Sequence, residues 1–241
     1  SKVAMAGKIQ PNGSYLRGIE DFIPSSEYNC DKHHLKVVED IKENWVTLSL
    51  NSKFHALLAT ESIPEAIAYY RLLRKEMPTL KVTALFDPNI DNTGGQTFKE
   101  EGLIEVLEGY KEQFGKTYTM STHAAFKQDV ALRLAHKKPY NGKDFTKDKQ
   151  IDLLIVVNQM LTGFDSKWIN TLYVDKVMEY ENIIQAFSRT NRLFGPDKPF
   201  GVIRYYRYPN TMKRNIDKAV AMYSDNKPLK LFADPLTHNL Q

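Results

Sequence analysis

The chain has 241 residues, 42% of them apolar and 11% aromatic, with 33 Lys and Arg against 29 Asp and Glu for a net charge of +4. That length holds one large domain or two small ones, and the apolar share is enough to fill a core, which excludes a mainly disordered, collagenous or coiled-coil chain. The single cysteine, Cys30, excludes an internal disulfide framework and a cysteine metal cage, and no run reaches the ~18–20 apolar residues of a membrane span.

One cysteine fits a reducing compartment, and the N-terminus lacks the basic-then-apolar layout of a signal peptide, so a soluble cytoplasmic protein is expected. So small a net charge confines any nucleic-acid footprint to a local patch. The chain opens at Ser1 and runs into a stretch, Gly13–Asn29, with no evident element of its own, as expected of a fragment of something longer.

Residues 33–48 place Leu35, Val38, Ile41 and Trp45 at helical spacing, an amphipathic helix leading into the domain. Phe54–Thr60 reads as a short buried strand. Ser62 to Glu65 then supplies a helix start, with a serine cap, a proline in the first turn and a glutamate three residues on, and the helix runs to about Lys75. Lys81–Phe86 is a second strand, and the turn residues of Asp87–Gln96 make a long surface loop. Helices follow over about Phe98–Phe114 and Thr122–Ala135, then a polar, lysine-rich stretch, Lys137–Lys149. Ile151–Val157 is nearly continuous aliphatic, the mark of a strand covered on both faces, and Thr171–Val174 resembles it. A helix over Glu179–Arg192, a strand over Phe200–Tyr206 and a helix over Pro209–Tyr223 complete the pattern, and Asp225–Gln241 reads as a linker.

Strands alternating with helices of 10–15 residues predict a three-layer α/β/α fold around a mainly parallel sheet, with ligands at the carboxyl ends of the strands. Gly115-Lys116-Thr117 ends like a phosphate loop, but five residues separate it from Gly109 where the motif needs four, and a helix precedes it in place of a strand. A helix ending at a C-cap glycine explains it, and the chain has no recognisable site of its own for cradling ATP phosphates.

The helix around Gln185–Arg192 carries more information. Tyr180, Ile183, Ile184 and Phe187 fall on one side, and Gln185, Ser188, Arg189 and Arg192 on the other. Neither arginine has a carboxylate three or four residues away, so the pattern suits either a solvated basic face, pairing with acids elsewhere in the fold, or a phosphate clamp. After the strand Ile151–Val157 comes Leu161-Thr-Gly-Phe-Asp165, where glycine permits close backbone approach, threonine can donate to phosphate and aspartate can accept from ribose or arginine. Taken alone, it is a turn. None of the six histidines sits in a motif with a nucleophile or metal-ligand spacing, and no metal site is expected.

Together, the LTGFD loop, the strand TLYVDK and the helix QAFSRTNR resemble motifs V and VI of superfamily 2 helicases, arranged as in the second RecA-like lobe. More narrowly, HALLATESIPEAIAYY, LLIVVNQMLTGFDSKWINTLYVDK and ENIIQAFSRTNR resemble the motor (R) subunit of type I restriction-modification enzymes, over about residues 33–223. The resemblance implies a RecA-like lobe over residues 51–223. Residues 1–50 are then an irregular segment and connecting helix, and residues 224–241 a linker or the truncated start of a following domain. It implies that ATP and magnesium bind mainly on a preceding lobe, and that hydrolysis drives translocation of double-stranded DNA before cleavage by a separate nuclease domain. Specificity and methyltransferase subunits are the implied partners. Arg189 and Arg192 take the two arginine places of the pattern Q-x-x-G-R-x-x-R and Gln185 the glutamine, while Ser188 stands where the wider superfamily has glycine. Thr162 and Gly163 would face the DNA backbone or the lobe interface, and Asp165 would link that loop to the nucleotide. An arginine delivered across such an interface is worth ~10³–10⁵ in rate. Ser62 caps its helix, and the N–H groups there also offer a DNA backbone contact. The fragment alone is expected to be inactive and to hold neither ATP nor magnesium. The alternative is a non-catalytic RecA-like module that binds nucleic acid or an acidic protein through its basic helix; a complete small enzyme using a histidine base fits least.

Overall fold

The computed structural model describes residues 4–89, 94–142, 145–157, 166–190, 192 and 194–223. An N-terminal hairpin pairs β1 (Lys8–Ile9) with β2 (Tyr15–Leu16). Two 3-10 turns follow, over Ile19–Phe22 and Ser25–Glu27. In α1 (Asp31–Leu48), His34, Val37, Val38, Ile41 and Trp45 are buried, a stripe repeating every three or four residues. Then come β3 (His55–Thr60), α2 (Ile63–Glu76), β4 (Val82–Leu85), α3 (Gln96–Phe114), α4 (His123–Leu134) and β5 (Leu153–Val157). After them lie β6 (Ile169–Asp175), α5 (Tyr180–Thr190), β7 (Val202–Tyr205) and α6 (Pro209–Tyr223).

The five longer strands form one sheet in the order β4-β5-β3-β6-β7, every pair parallel. Its centre is dry: all residues of β3, β4 and β5 are buried, which is why their sequences are aliphatic runs without alternation. From β3 to β4 the chain crosses the sheet one way, and from β6 to β7 the other, so right-handed crossovers put α2 and α5 on opposite faces. Helix α1 packs on α2, and α6 on α5, completing the three layers.

Local chemistry explains the element ends. Ser62 accepts from the Glu65 N–H, and the Glu65 carboxylate accepts from the Ser62 N–H at 3.1 Å, a closed capping box at the start of α2. Gly115 ends α3 at φ +69°, the left-handed cap expected there in place of a phosphate loop.

Residues 13–29, read from sequence as lacking any element, hold β2 and the two turns, and their order comes from the far end of the chain. The Glu20 carboxylate accepts the backbone N–H groups of Asn210 (2.9 Å) and Thr211 (2.7 Å) at the start of α6. Burial pushes the Glu20 carboxyl up, but these bonds outweigh it and hold the group below its ordinary value. Two described residues of the lysine-rich stretch, Tyr140 and Lys149, are anchored as well. The Arg133 guanidinium lies 4.1 Å from the ring centroids of both Phe114 and Tyr140, and donates to the Lys149 carbonyl at 2.6 Å. No helix among the described residues is long and apolar enough to cross a membrane.

Candidate functional site

A parallel sheet has two chemically different rims. At the carboxyl rim, β6 ends in Asp175, fully buried, whose carboxylate accepts from His33 Nε2 (2.7 Å), Tyr69 Oη (2.6 Å), Arg207 Nε (3.0 Å) and Arg207 Nη2 (3.0 Å). Arg207 also pairs with Glu65 and donates to Asn29 Oδ1 at 2.9 Å. Burial pushes the Asp175 carboxyl up, but the bonds from His33, Arg207 and Tyr69 prevail and hold it at about 2. Glu65 therefore serves two partners, Arg207 through Oε1 and the Ser62 N–H through Oε2. The Ser62 hydroxyl is itself engaged with Glu65, so this serine fills the capping role.

One part of this rim offers metal-ligand chemistry. His34, Glu65 and Asp175 place one ligand atom each within 4.8 Å of one another. Neither ring nitrogen of the buried His34 has a hydrogen-bond partner, and burial lowers its pKa. Both carboxylates already pair with Arg207, so the guanidinium supplies the positive charge a metal ion would bring, and any ion would have to displace it. Sequence reading missed this cluster. His33, Glu65, Asp175 and Arg207 carry no shared spacing, and the available signal was a charged residue, Asp175, closing the apolar run Leu172–Val174. The loop with Thr162, Gly163 and Asp165, expected at the same rim, lies outside the described residues.

The arginine helix lies elsewhere. In α5, Ile183, Ala186, Phe187 and Thr190 are buried, Gln185 and Ser188 are exposed, Arg189 is half-buried, and Arg192 beyond the helix is exposed. The two-faced pattern read from sequence is thus present, with the Ser188 hydroxyl donating to the Gln185 carbonyl at 2.7 Å. As the crossover between parallel strands, α5 runs opposite to them, and its last turn ends at the amino rim. Gly201, just before β7, abuts that turn closely: an added Cβ would lie 2.4 Å from the Thr190 carbonyl oxygen. Arg189 is therefore at the opposite end of the sheet from Ser62, so these two candidate residues do not share one rim. Eleven helical residues at ~1.5 Å each put roughly 16 Å between the two rims along α5.

The amino rim also holds an imidazole pair. His55, the first residue of β3, and His136 lie Nε2 to Nε2 at 2.7 Å. Burial lowers His55 to about 3 and His136 to about 4, with His136 adding to the first shift and Lys167 to the second. Both rings are neutral at physiological pH, one donating to the other. They were read as isolated residues because 81 positions separate them in the chain.

A family model described as type I restriction enzyme subunit R domain 3 matches residues 52–208, a span that contains Ser62, Thr162, Gly163, Asp165, Gln185, Arg189 and Arg192. The chain is similar to the endonuclease subunit of type I restriction enzyme SauMRSORF196P from Staphylococcus aureus (strain MRSA252), 35% identical over 203 residues, covering 81% of this chain and 21% of the relative. It is 36% identical over 201 residues to the SsaAORF53P endonuclease subunit from Staphylococcus saprophyticus, covering 79% and 20%. Over 70 residues it is 50% identical to the N-terminal part of the putative MpnIIP endonuclease subunit from Mycoplasma pneumoniae, covering 29% and 18%. The chain spans about one fifth of the length of the two staphylococcal relatives.

Proposed function

The chain belongs to the type I restriction enzyme subunit R family, in the region of its domain 3, and from that premise we propose that it is the second RecA-like lobe of an ATP-dependent double-stranded DNA translocase. Arg189 and Arg192 act as the arginine pair of an ATP site whose phosphate loop and magnesium belong mainly to a preceding lobe. Gln185 joins them at that interface. The loop bearing Thr162, Gly163 and Asp165 meets the DNA backbone and links it to the nucleotide, and the N-terminus of α2 at Ser62 offers a second DNA backbone contact. Specificity and methyltransferase subunits are the proposed partners of the complete enzyme.

The observation that carries the reading is the construction of α5. Four buried side chains on one face fix the helix against the core, and the outer face presents Gln185 and Arg189, with the exposed Arg192 two residues past its end. Two guanidinium groups three positions apart suit the oxygens of a single phosphoryl group, because each is planar, permanently charged and able to donate in parallel. Arg189, mounted on the packed helix, costs little reorganisation when charge builds on those oxygens. Bound ATP would supply the phosphoryl transfer. The residues of this chain orient and neutralise it, and their engagement draws the two lobes together.

The test is MgATP hydrolysis by the isolated chain and by a full-length subunit carrying the same sequence. Hydrolysis by the full-length subunit on DNA and none by the isolated chain supports the reading. An isolated chain that binds DNA with strong salt dependence, while the full-length subunit hydrolyses nothing, refutes it and favours a non-catalytic interaction module.

A further inference from the structure

Close to the arginine pair the amino rim carries an aromatic surface for which catalysis by α5 gives no reason. Trp168, half-buried, stacks on His136 with centroids 4.1 Å apart and planes 13° from parallel. Phe194, also half-buried, leans on Trp168 at 4.5 Å. The exposed Lys167 holds its ammonium 4.8 Å from the Phe194 centroid and 5.8 Å from that of Trp168. Phe194 follows Arg192 by two residues, so their Cα atoms are within ~7 Å, and surface and arginine pair share one end of the sheet.

The surface is held in place from beneath. Lys198, only 1% exposed, donates its ammonium to the carbonyls of Lys167 (3.2 Å) and Ile169 (2.6 Å), the two residues that flank Trp168. The Ser166 hydroxyl donates to the Leu134 carbonyl at 2.7 Å and accepts from the Trp168 N–H at 3.1 Å, and the Trp168 carbonyl accepts from the His55 N–H at 2.8 Å. A buried ammonium spent on backbone carbonyls is a costly way to fix a turn, and what it fixes is the orientation of one part-exposed indole.

Two half-buried rings with an exposed ammonium over them and guanidinium groups beyond are chemically matched to a ligand that is aromatic at one end and polyanionic at the other. We propose that Trp168 and Phe194 seat the base of a nucleoside triphosphate and that Lys167 takes its inner phosphates, with the terminal phosphate meeting Arg189 and Arg192. This rests on the reading of α5 as the phosphate-facing helix and adds to it the base end of the same ligand. Lys167 gives up its place over the Phe194 ring when the base arrives, so base–ring stacking replaces a cation–π contact while the ammonium moves to the phosphates.

The test uses the full-length subunit carrying this sequence, because the phosphate loop belongs to a preceding lobe. MgATP, adenosine, inorganic triphosphate and a single-stranded oligonucleotide are titrated into it and into its Trp168→Phe, Phe194→Leu, Lys167→Gln and Arg192→Ala variants. Binding is followed by calorimetry and by tryptophan fluorescence, the share owed to Trp168 being the signal lost in Trp168→Phe, with circular dichroism confirming that each variant is folded. The seat predicts quenching by ATP that disappears in Trp168→Phe. It also predicts ATP binding weakened on the order of tenfold by Phe194→Leu or Lys167→Gln, with Phe194→Leu leaving inorganic triphosphate unaffected. Weakening by these two substitutions but not by Arg192→Ala upholds the seat and counts against the arginine clamp. ATP and inorganic triphosphate binding alike, with no effect of Phe194→Leu or Lys167→Gln, overturns the seat and leaves the clamp standing. No quenching by millimolar ATP, or quenching by the oligonucleotide that ATP does not displace, also overturns it.

Discussion

Replacing Arg207 with methionine keeps most of the side-chain volume and removes the one cation between two buried carboxylates. The guanidinium donates twice to Asp175 at 3.0 Å, pairs with Glu65 and reaches Asn29 at 2.9 Å. Its loss leaves Asp175, 0% exposed, and Glu65, 5% exposed, in the interior with their charge uncompensated. Breaking such a pair costs ~3–5 kcal/mol, a large part of the ~5–15 kcal/mol that holds a typical domain together. The effect has a pH signature. With the Asp175 carboxyl at about 2 against an ordinary 3.8, the depressed value contributes about 2 kcal/mol at neutral pH. A lowered carboxyl stabilises the fold above its unfolded pKa, so this share is lost as pH falls from about 4 towards 2. In Arg207→Met burial acts with less opposition and the carboxyl rises, so the stability gap to the parent narrows on acidification. Urea unfolding followed by circular dichroism from about pH 7 down to about 2 measures both quantities. The Arg207→Met/Asp175→Asn double variant should cost less than the sum of the single changes. A loss below about 1 kcal/mol, or a gap that does not change with pH, refutes the reasoning.

Three further outcomes are expected. Gly201→Ala drives a Cβ to 2.4 Å from the Thr190 carbonyl oxygen, backbone that cannot swing aside, and should destabilise the chain by ~1–3 kcal/mol in thermal unfolding while displacing the end of α5. Because His55 and His136 titrate at about 3 and about 4 when folded, the unfolded chain binds more protons below pH 6.5. Stability should therefore fall as pH drops from 6.5 towards 4, at up to ~1.4 kcal/mol per unit for each ring, and His136→Asn should flatten that slope by about one proton's worth. Ser62→Ala opens the capping box of α2 and should cost ~1 kcal/mol of stability, with Ser62→Gly costing less.

The elements that sequence reading located well were those whose signal is local. Ile151–Val157 reads as a covered strand because every position is buried, and the Ser62–Glu65 box and the Gly115 cap are written in three or four consecutive residues. Strand β6 is longer than the four residues Thr171–Val174, running over Ile169–Asp175. Its extra polar positions have distant partners: Asn170 donates to the Leu48 carbonyl at 2.7 Å, and Asp175 is held by His33, Tyr69 and Arg207. Such contacts span 32 to 142 positions, beyond the reach of periodicity. Helical spacing likewise identified which residues share the outer face of α5, but the rim at which that face ends follows from the sheet topology, which no local spacing encodes.

An outer face of α5 that completes an ATP site on another lobe, as proposed, makes hydrolysis depend on both arginines. The decisive assay is DNA-dependent ATP hydrolysis by the full-length subunit carrying Arg189→Ala or Arg192→Ala, with urea unfolding of the 241-residue chain run in parallel. Hydrolysis should fall ~10³-fold or more in each variant, while unfolding free energy moves by less than about 1 kcal/mol. Near-parental turnover in both variants, on a fold of unchanged stability, contradicts the account.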